Sequence, residues 1–254
     1  MVETVTAVPP LPSRAPDANK GTCGLILVVG GSRTMAGAPC LAARGAYRGG
    51  AGLVRVAVPA TIRDIVAAKL DECLVEGLKK TKTGVVNRTA FRALVQLCEW
   101  ADTVVMGPGM TQAEPVVELI RRVVKEVDKP FVLDADALNS FAGEMKLLKA
   151  AQTKWSGRML VLTPHPGEMA RLLGVHARDV QADRAKAVEQ AALATKAVVI
   201  LKGAGTLVCD GQRLYANRTG NPGMATGGSG DVLTGVIAAL VGQGLSPFDA
   251  ACLG

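Results

Sequence analysis

The residues best suited to chemistry form a glycine run that ends on a carboxylate: Gly227-Gly228-Ser229-Gly230-Asp231, followed by the apolar stretch Val232-Leu233-Thr234-Gly235-Val236-Ile237. A glycine run entering a helix leaves amides unpaired at the positive end of the helix dipole, and such an end binds a phosphate or a developing anion. Gly228 and Gly230 would supply those amides. Asp231 then stands at the mouth of the site, where a carboxylate can take the proton of a hydroxyl attacking a phosphoryl group. A cap that only offsets the helix dipole is the plainer role for Asp231, but a cap alone does not require four glycine or serine neighbours.

Four further segments carry polar groups directly after apolar runs. In Lys202-Gly203-Ala204-Gly205-Thr206 a lysine supplies a point charge, and the glycines bring backbone amides close to a polyphosphate; alone, the segment also fits an ordinary glycine turn. In Thr163-Pro164-His165-Pro166-Gly167-Glu168 two prolines restrict the backbone around His165, so an imidazole is held at a strand end. Glu168 could orient magnesium through water or complement a helix dipole. In Leu133-Asp134-Ala135-Asp136-Ala137-Leu138-Asn139 two carboxylates could position a metal or a phosphoryl group, with Asp136 as a possible magnesium ligand and an N-cap as its rival role. Gly107-Pro108-Gly109 lets the chain pass close to a ligand, or simply turn. The first strand-to-helix turn, Gly30-Gly31-Ser32-Arg33 with Ala36-Gly37-Ala38, has neither the dinucleotide fingerprint nor P-loop spacing with a lysine, which disfavours a Rossmann dehydrogenase. His176, in a polar stretch, reads as a surface residue.

Positioning these groups requires a particular frame. Apolar runs of strand length alternate with helix-period segments: Leu25–Gly30, Ala38–Arg48, Leu53–Pro59, Ile62–Leu70, then helix Thr89–Trp100, strand Thr103–Met106, helix Glu114–Val127, strand Phe131–Asp134, helix Ala137–Ala150 and strand Leu160–Thr163. Continuous apolar strands are buried on both faces, which predicts a mainly parallel sheet between helix layers, with ligands beyond the carboxyl ends of the strands. After helix Asp183–Thr195 come three close-spaced strands, Val198–Lys202, Thr206–Cys209 and Leu214–Ala216, with Asp210-Gly211 as a hairpin turn, predicting an antiparallel edge. The glycine loop Thr219–Gly230 then opens a helix running from Asp231 to about Val241. Residues 1–20, with prolines at 9, 10, 12 and 16, read as an extended arm, leaving residues 21–254 as one catalytic domain of three-layer α/β class. The sequence stops within an apolar helix that starts at Ser246-Pro247.

Composition narrows the function. With 2 Trp, 2 Tyr and 4 Phe there is little material for base stacking, so a nucleic-acid reading is weak despite the net charge of +7, and the dispersed positive charge suits small polyanions such as nucleotides. The cysteines at 23, 40, 73, 98, 209 and 252 form no Cys-x-x-Cys pair and sit mostly in apolar runs. A reducing compartment and a soluble cytoplasmic protein are expected, because neither a signal-type stretch nor ~18 consecutive apolar residues occur.

Taken together, the motifs around Gly30–Ala38, Gly107–Gly109, Asp134–Asn139, Thr163–Glu168 and Gly227–Asp231 resemble the ADP-dependent NAD(P)H-hydrate dehydratase branch of the ribokinase-like superfamily, from Lys20-Gly21 to the end of the chain. The resemblance implies a ribokinase-like fold and a lyase that dehydrates hydrated NADH or NADPH at the expense of ADP or ATP, with magnesium, as a homo-oligomer beside an NAD(P)H-hydrate epimerase. It also implies that Lys202, Gly203, Ala204, Gly205, Thr206 and Gly230 hold the adenine nucleotide, while Ala38, Gly109, His165 and Asp231 face the hydrated cofactor. Two departures are visible: Asn19 stands where histidine is expected before Lys-Gly, and the sequence ends before the final helices expected of the fold, either as a naturally short chain or as one that lacks its C-terminal end. The nearest alternative is a ribokinase-like kinase acting on a vitamin-precursor alcohol, disfavoured by His165-Pro166-Gly167-Glu168 in place of an Asn-x-x-Glu segment. A nucleotide-sensing module without catalysis is a further alternative, disfavoured by Asp231.

Overall fold

The computed structural model describes residues 2–155 and 159–254. Ten strands form one sheet: β1 (Glu3–Val5), β2 (Leu25–Val29), β3 (Leu53–Pro59), β4 (Leu74–Leu78), β5 (Thr103–Met106), β6 (Phe131–Leu133), β7 (Leu160–Leu162), β8 (Val198–Leu201), β9 (Leu207–Cys209) and β10 (Arg213–Ala216). Their order is β1-β10-β9-β8-β7-β6-β5-β2-β3-β4, with β9 antiparallel to both neighbours and every other pairing parallel. The α-helices are α1 (Gly37–Arg48), α2 (Arg63–Ala67), α3 (Phe91–Trp100), α4 (Glu114–Glu126), α5 (Asp136–Asn139), α6 (Met145–Lys154), α7 (Pro166–Leu173), α8 (Ala177–Ala182), α9 (Arg184–Thr195), α10 (Ser229–Gly242) and α11 (Pro247–Leu253). None of the described helices is long and apolar enough to cross a membrane.

Strand alternation sends each strand's apolar residues to two separate cores. Leu27 and Val29, with Val104, Met106, Phe131 and Leu133, meet α3, α4, α6, α7, α8 and α9. Ile26 and Val28, with Val105, Val132, Val161 and Ile200, meet α1, α2, α10 and α11. The result is the expected three-layer arrangement. On the second face α1 and α10 pack nearly backbone to backbone: a Cβ on Gly235 would lie 1.9 Å from the Ala42 carbonyl oxygen, and one on Gly45 would lie 2.3 Å from that of Val232. This crossing fixes where α10, and so its first turn, stands against the sheet.

Three elements depart from the sequence expectations. The proline-rich arm contributes β1, which pairs in parallel with β10, so the three-strand antiparallel unit is covered on its outer side. β4 forms the opposite edge of the sheet, in a stretch with no strand assigned to it. The single helix expected over Ala137–Ala150 is two, because Gly143 takes φ 68° between α5 and α6, a left-handed conformation that ends a helix.

Candidate active site

The parallel ladder continues past the strand ends and carries the polar segments with it. Gly107 N–H donates to the Val29 carbonyl (3.2 Å), Asp134 N–H to that of Met106 (3.2 Å), Thr163 N–H to that of Leu133 (3.1 Å) and Lys202 N–H to that of Pro164 (2.9 Å). The chain is thus in register when it delivers Asp134, Thr163 and Lys202 side by side at one edge.

Those side chains form a buried charge cluster. Lys202 Nζ lies 2.7 Å from Asp134 Oδ1, which also accepts from Thr163 Oγ1 at 2.7 Å, and 3.9 Å from Glu168 Oε2. Asp134 and Glu168 are only 2% and 5% exposed, so lysine and hydrogen bonds must offset the loss of solvation. Burial pushes the Glu168 carboxyl above its ordinary range, opposed first by the charge of Lys202. His165 is the N-cap of α7: its Nδ1 accepts from the amides of Gly167 (3.0 Å) and Glu168 (3.3 Å), and Glu168 Oε2 accepts from His165 N–H at 2.8 Å. With Nδ1 acting as acceptor, the neutral ring carries its proton on Nε2, 3.5 Å from Glu168 Oε1. About half of the imidazole stays exposed.

α10 reaches the same place from the other face. Gly228 takes φ 94°, and a Cβ there would meet Leu41 Cδ1 at 2.5 Å, so this turn demands glycine. The turn starts the helix at Ser229 and leaves the amides of Gly230 and Asp231 without intrahelical acceptors. A Cβ on Gly230 would lie 3.1 Å from Lys202 Nζ, so glycine brings the helix end directly onto the lysine. Asp231 sits in the first turn, its carboxyl pushed up to about 6 by burial first and by the Asp134 carboxylate second, with Lys202 opposing both.

The other expected residues fall around this centre. Gly203 (φ 137°) and Gly205 (φ 63°) shape an exposed turn after β8 that Thr206 Oγ1 closes by donating to the Gly203 carbonyl (2.8 Å). Gly109 (φ 68°) packs against Ala38, whose Cβ would be 3.2 Å from a Cβ on Gly109. Asp136 and Glu168, the candidate magnesium ligands, both have protein partners. The Asp136 carboxylate is taken up by Thr111 N–H (2.7 Å) and Gln112 Nε2 (3.0 Å), and Glu168 is spent on the α7 cap and the lysine. Among the described residues, no group of three or more His, Cys, Asp or Glu side chains is arranged to hold a metal ion.

Sequence reasoning missed two contributors. The first is the pairing of Lys202 with Asp134, a carboxylate read from the sequence as able to position a metal or a phosphoryl group but not as the partner of the lysine. Arg184, whose guanidinium donates to the carbonyls of Leu201 (3.0 Å) and Lys202 (3.4 Å), steadies the turn that begins at Gly203; nothing in the sequence connects a residue of α9 to that turn.

Comparison with known proteins agrees with this geometry. The signature of the NAD(P)H-hydrate dehydratase family matches residues 26–254. The bifunctional NAD(P)H-hydrate repair enzyme Nnr of Moorella thermoacetica is 46% identical over 246 residues, covering 96% of this chain and 45% of its own, so the chain spans about half the length of that relative. The ADP-dependent (S)-NAD(P)H-hydrate dehydratase of Neisseria meningitidis is 40% identical over 245 residues, covering 95% of this chain and 77% of its own. The ADP/ATP-dependent NAD(P)H-hydrate dehydratase of Bacillus subtilis, crystallised with ATP and Mg2+, superposes with a TM-score of 0.78 at 30% identity over 96% of this chain and 81% of its own. The chain belongs to the NAD(P)H-hydrate dehydratase family, within the ribokinase-like fold.

Proposed function

We propose that this protein is a lyase that dehydrates hydrated NADH or NADPH, driven by ADP or ATP. The observation that carries the reading is the meeting of the Gly228–Asp231 helix end with Lys202, which puts free amides, one cation and a carboxyl raised to about 6 around a single point. Hydroxide is a poor leaving group. The hydrate's hydroxyl oxygen attacks the terminal phosphoryl group, and the bond from that phosphorus to the nucleotide breaks. Asp231 takes the hydroxyl proton, the amides of Gly228 and Gly230 with Lys202 meet the charge on the phosphoryl oxygens, and phosphate then leaves the ring carbon as a neighbouring ring proton is lost. The balance is hydrated cofactor plus ADP to reduced cofactor, AMP and phosphate; with ATP the nucleotide product is ADP.

The turn Lys202–Thr206 with Gly230 would hold the nucleotide, and Ala38, Gly109, His165 and Asp231 would face the hydrate. Magnesium, which is commonly held by one or two carboxylates with water and substrate phosphates, would enter with the nucleotide's phosphates, with Glu168 through water and Asp136 as its candidate protein ligands. The reading places the enzyme in the cytoplasm as a homo-oligomer beside an NAD(P)H-hydrate epimerase; the six free cysteines fit a reducing compartment.

The test is recovery of the reduced-nicotinamide absorbance from hydrated cofactor, with ADP and ATP supplied separately and phosphate measured. Absorbance returning with one phosphate per turnover is expected. Accumulation of a phosphorylated alcohol without absorbance would instead mark a kinase.

A further inference from the structure

The turn between Asp134 and Asp136 is strained. Ala135 takes φ 48° and ψ −115°, and Thr111, in the loop after β5, takes φ 76°. Left-handed backbone is unfavourable for a side chain with a Cβ, and more so for a β-branched threonine. Such conformations persist where the surroundings over-determine them, and they concentrate at functional sites. Here the two strained residues, distant in sequence, meet at one side chain. Asp136 Oδ2 accepts from Thr111 N–H at 2.7 Å, Asp136 Oδ1 accepts from Gln112 Nε2 at 3.0 Å, and the same amide of Gln112 donates to the Asp136 carbonyl at 2.8 Å.

Each strained residue serves a different part of the site. The kink at Ala135 lets consecutive acidic residues diverge: Asp134 reaches Lys202 and Thr163, while Asp136 reaches the neighbouring loop. The conformation at Thr111 closes the loop that starts at Gly107, where Met110 N–H donates to the Gly107 carbonyl (3.2 Å) and Gly109 is pressed against Met35 and Ala38. The two turns also touch directly, since a Cβ on Gly107 would lie 1.8 Å from the Asp134 carbonyl oxygen.

We infer that Asp136 is a positioning residue for the dehydration: its carboxylate ties the Gly107–Gln112 loop, which would face the hydrate, to the first turn of α5. The inference rests on the proposed function for the reaction it affects, and on the geometry alone for the tie itself. The nucleotide side, at Lys202–Thr206 and Gly230, makes no hydrogen bond with this carboxylate, so the effect is directional: binding of the hydrate depends on Asp136 and binding of the nucleotide does not.

Asp136→Ala removes both acceptors. Asp136→Asn, the milder variant, keeps an oxygen for Thr111 N–H but turns an amide NH2 toward that of Gln112. We expect Asp136→Ala to raise KM for hydrated NADH about tenfold, with kcat falling less than about threefold and the ADP Kd changing less than about twofold. Asp136→Asn should show a smaller rise in KM. Hydrogen–deuterium exchange, read without turnover, should show faster exchange of the Thr111 amide in Asp136→Ala, less change in Asp136→Asn, and unchanged exchange over Val198–Leu201. An active wild type whose KM is untouched by Asp136→Ala, or unchanged exchange at Thr111, overturns the inference. A purely structural role would weaken ADP binding in parallel and would speed exchange over Val198–Leu201 as well. A wild type that does not dehydrate the hydrate overturns the functional reading and leaves the exchange measurement to decide the tie.

Discussion

Two regions converge on the phosphate side of the site, and they are built differently. Asp134, Thr163 and Lys202 stand at the ends of buried parallel strands; Lys202 and Thr163 each bond Asp134 at 2.7 Å, and Asp134 and Thr163 are screened from solvent. The chain that leads into α10 is exposed from Arg218 to Gly227 and is held by short-range bonds of its own, from Thr219 N–H to Asn217 Oδ1 (3.1 Å) and from Gly223 N–H to Asn221 Oδ1 (2.9 Å). The difference separates two tasks. The strand ends set a fixed electrostatic field, which needs burial and a ladder in register. The glycine loop is exposed on the approach to the site, and packing against the rest of the fold begins at Gly228, where Leu41 and the α1/α10 crossing take hold.

Substitutions can break this contrast. The largest effect is expected at Gly235, where a Cβ would stand 1.9 Å from the Ala42 carbonyl oxygen: Gly235→Val should cost more than about 4 kcal/mol, seen as loss of cooperative unfolding or of folded protein. Next is Lys202→Met, which leaves Asp134 and Glu168 buried without their cation and should cost about 3–5 kcal/mol in urea denaturation at pH 7. Carboxyls stranded in this way have folded pKa values above their unfolded ones, so the deficit grows as pH rises through that window and should shrink on acidification toward about pH 5.

Asp231→Asn is expected to act with the opposite sign. The Asp231 carboxyl titrates at about 6 in the fold against an ordinary value of 3.8, so the folded state holds its proton more tightly and loses stability as pH rises from about 4 to 6. A neutral amide avoids that loss, and the variant, after allowance for solvent screening of a partly exposed group, should be more stable at pH 7 by about 1 kcal/mol, with the gain disappearing below pH 4. The smallest effect belongs to the loop. No atom lies within 4 Å of a Cβ placed on Gly227, so Gly227→Ala should change stability by less than about 0.5 kcal/mol. A large loss there would mean that the loop is as constrained as the strand ends.

The same contrast explains what could be read from the sequence. β2, β5, β6, β7 and β8 are buried on both faces and therefore appear as unbroken apolar runs, which fixed the sheet and the edge where the motifs gather. β4 escaped notice because Leu74-Val75-Glu76-Gly77-Leu78 is an edge strand, mostly exposed and interrupted by glycine. β1 is three residues long, and its pairing with β10 depends on a segment more than two hundred residues away. At the site, the glycine turn before Asp231 and the cap around His165 are local and could be read directly. The partnership of Lys202 with Asp134, the role of Arg184 and the engagement of Asp136 by Thr111 and Gln112 are not, because each joins residues from different strand ends or helices. The amides that engage Asp136 were likewise not legible: the sequence shows a carboxylate at a strand end but not the Thr111 and Gln112 donors that meet it.

The central claim is that the carboxylate of Asp231 works at a phosphoryl group held by the helix end beside Lys202. The most direct measurement is the pH dependence of kcat/KM for hydrated NADH with ADP, for the wild type and for Asp231→Asn, with ADP affinity measured in parallel. A wild-type acid limb near pH 6, a rate for Asp231→Asn lower by about 10²–10⁴ across the range, and ADP bound equally by both are the results expected. Dehydration by Asp231→Asn at the wild-type rate, with ADP still bound, would contradict the claim.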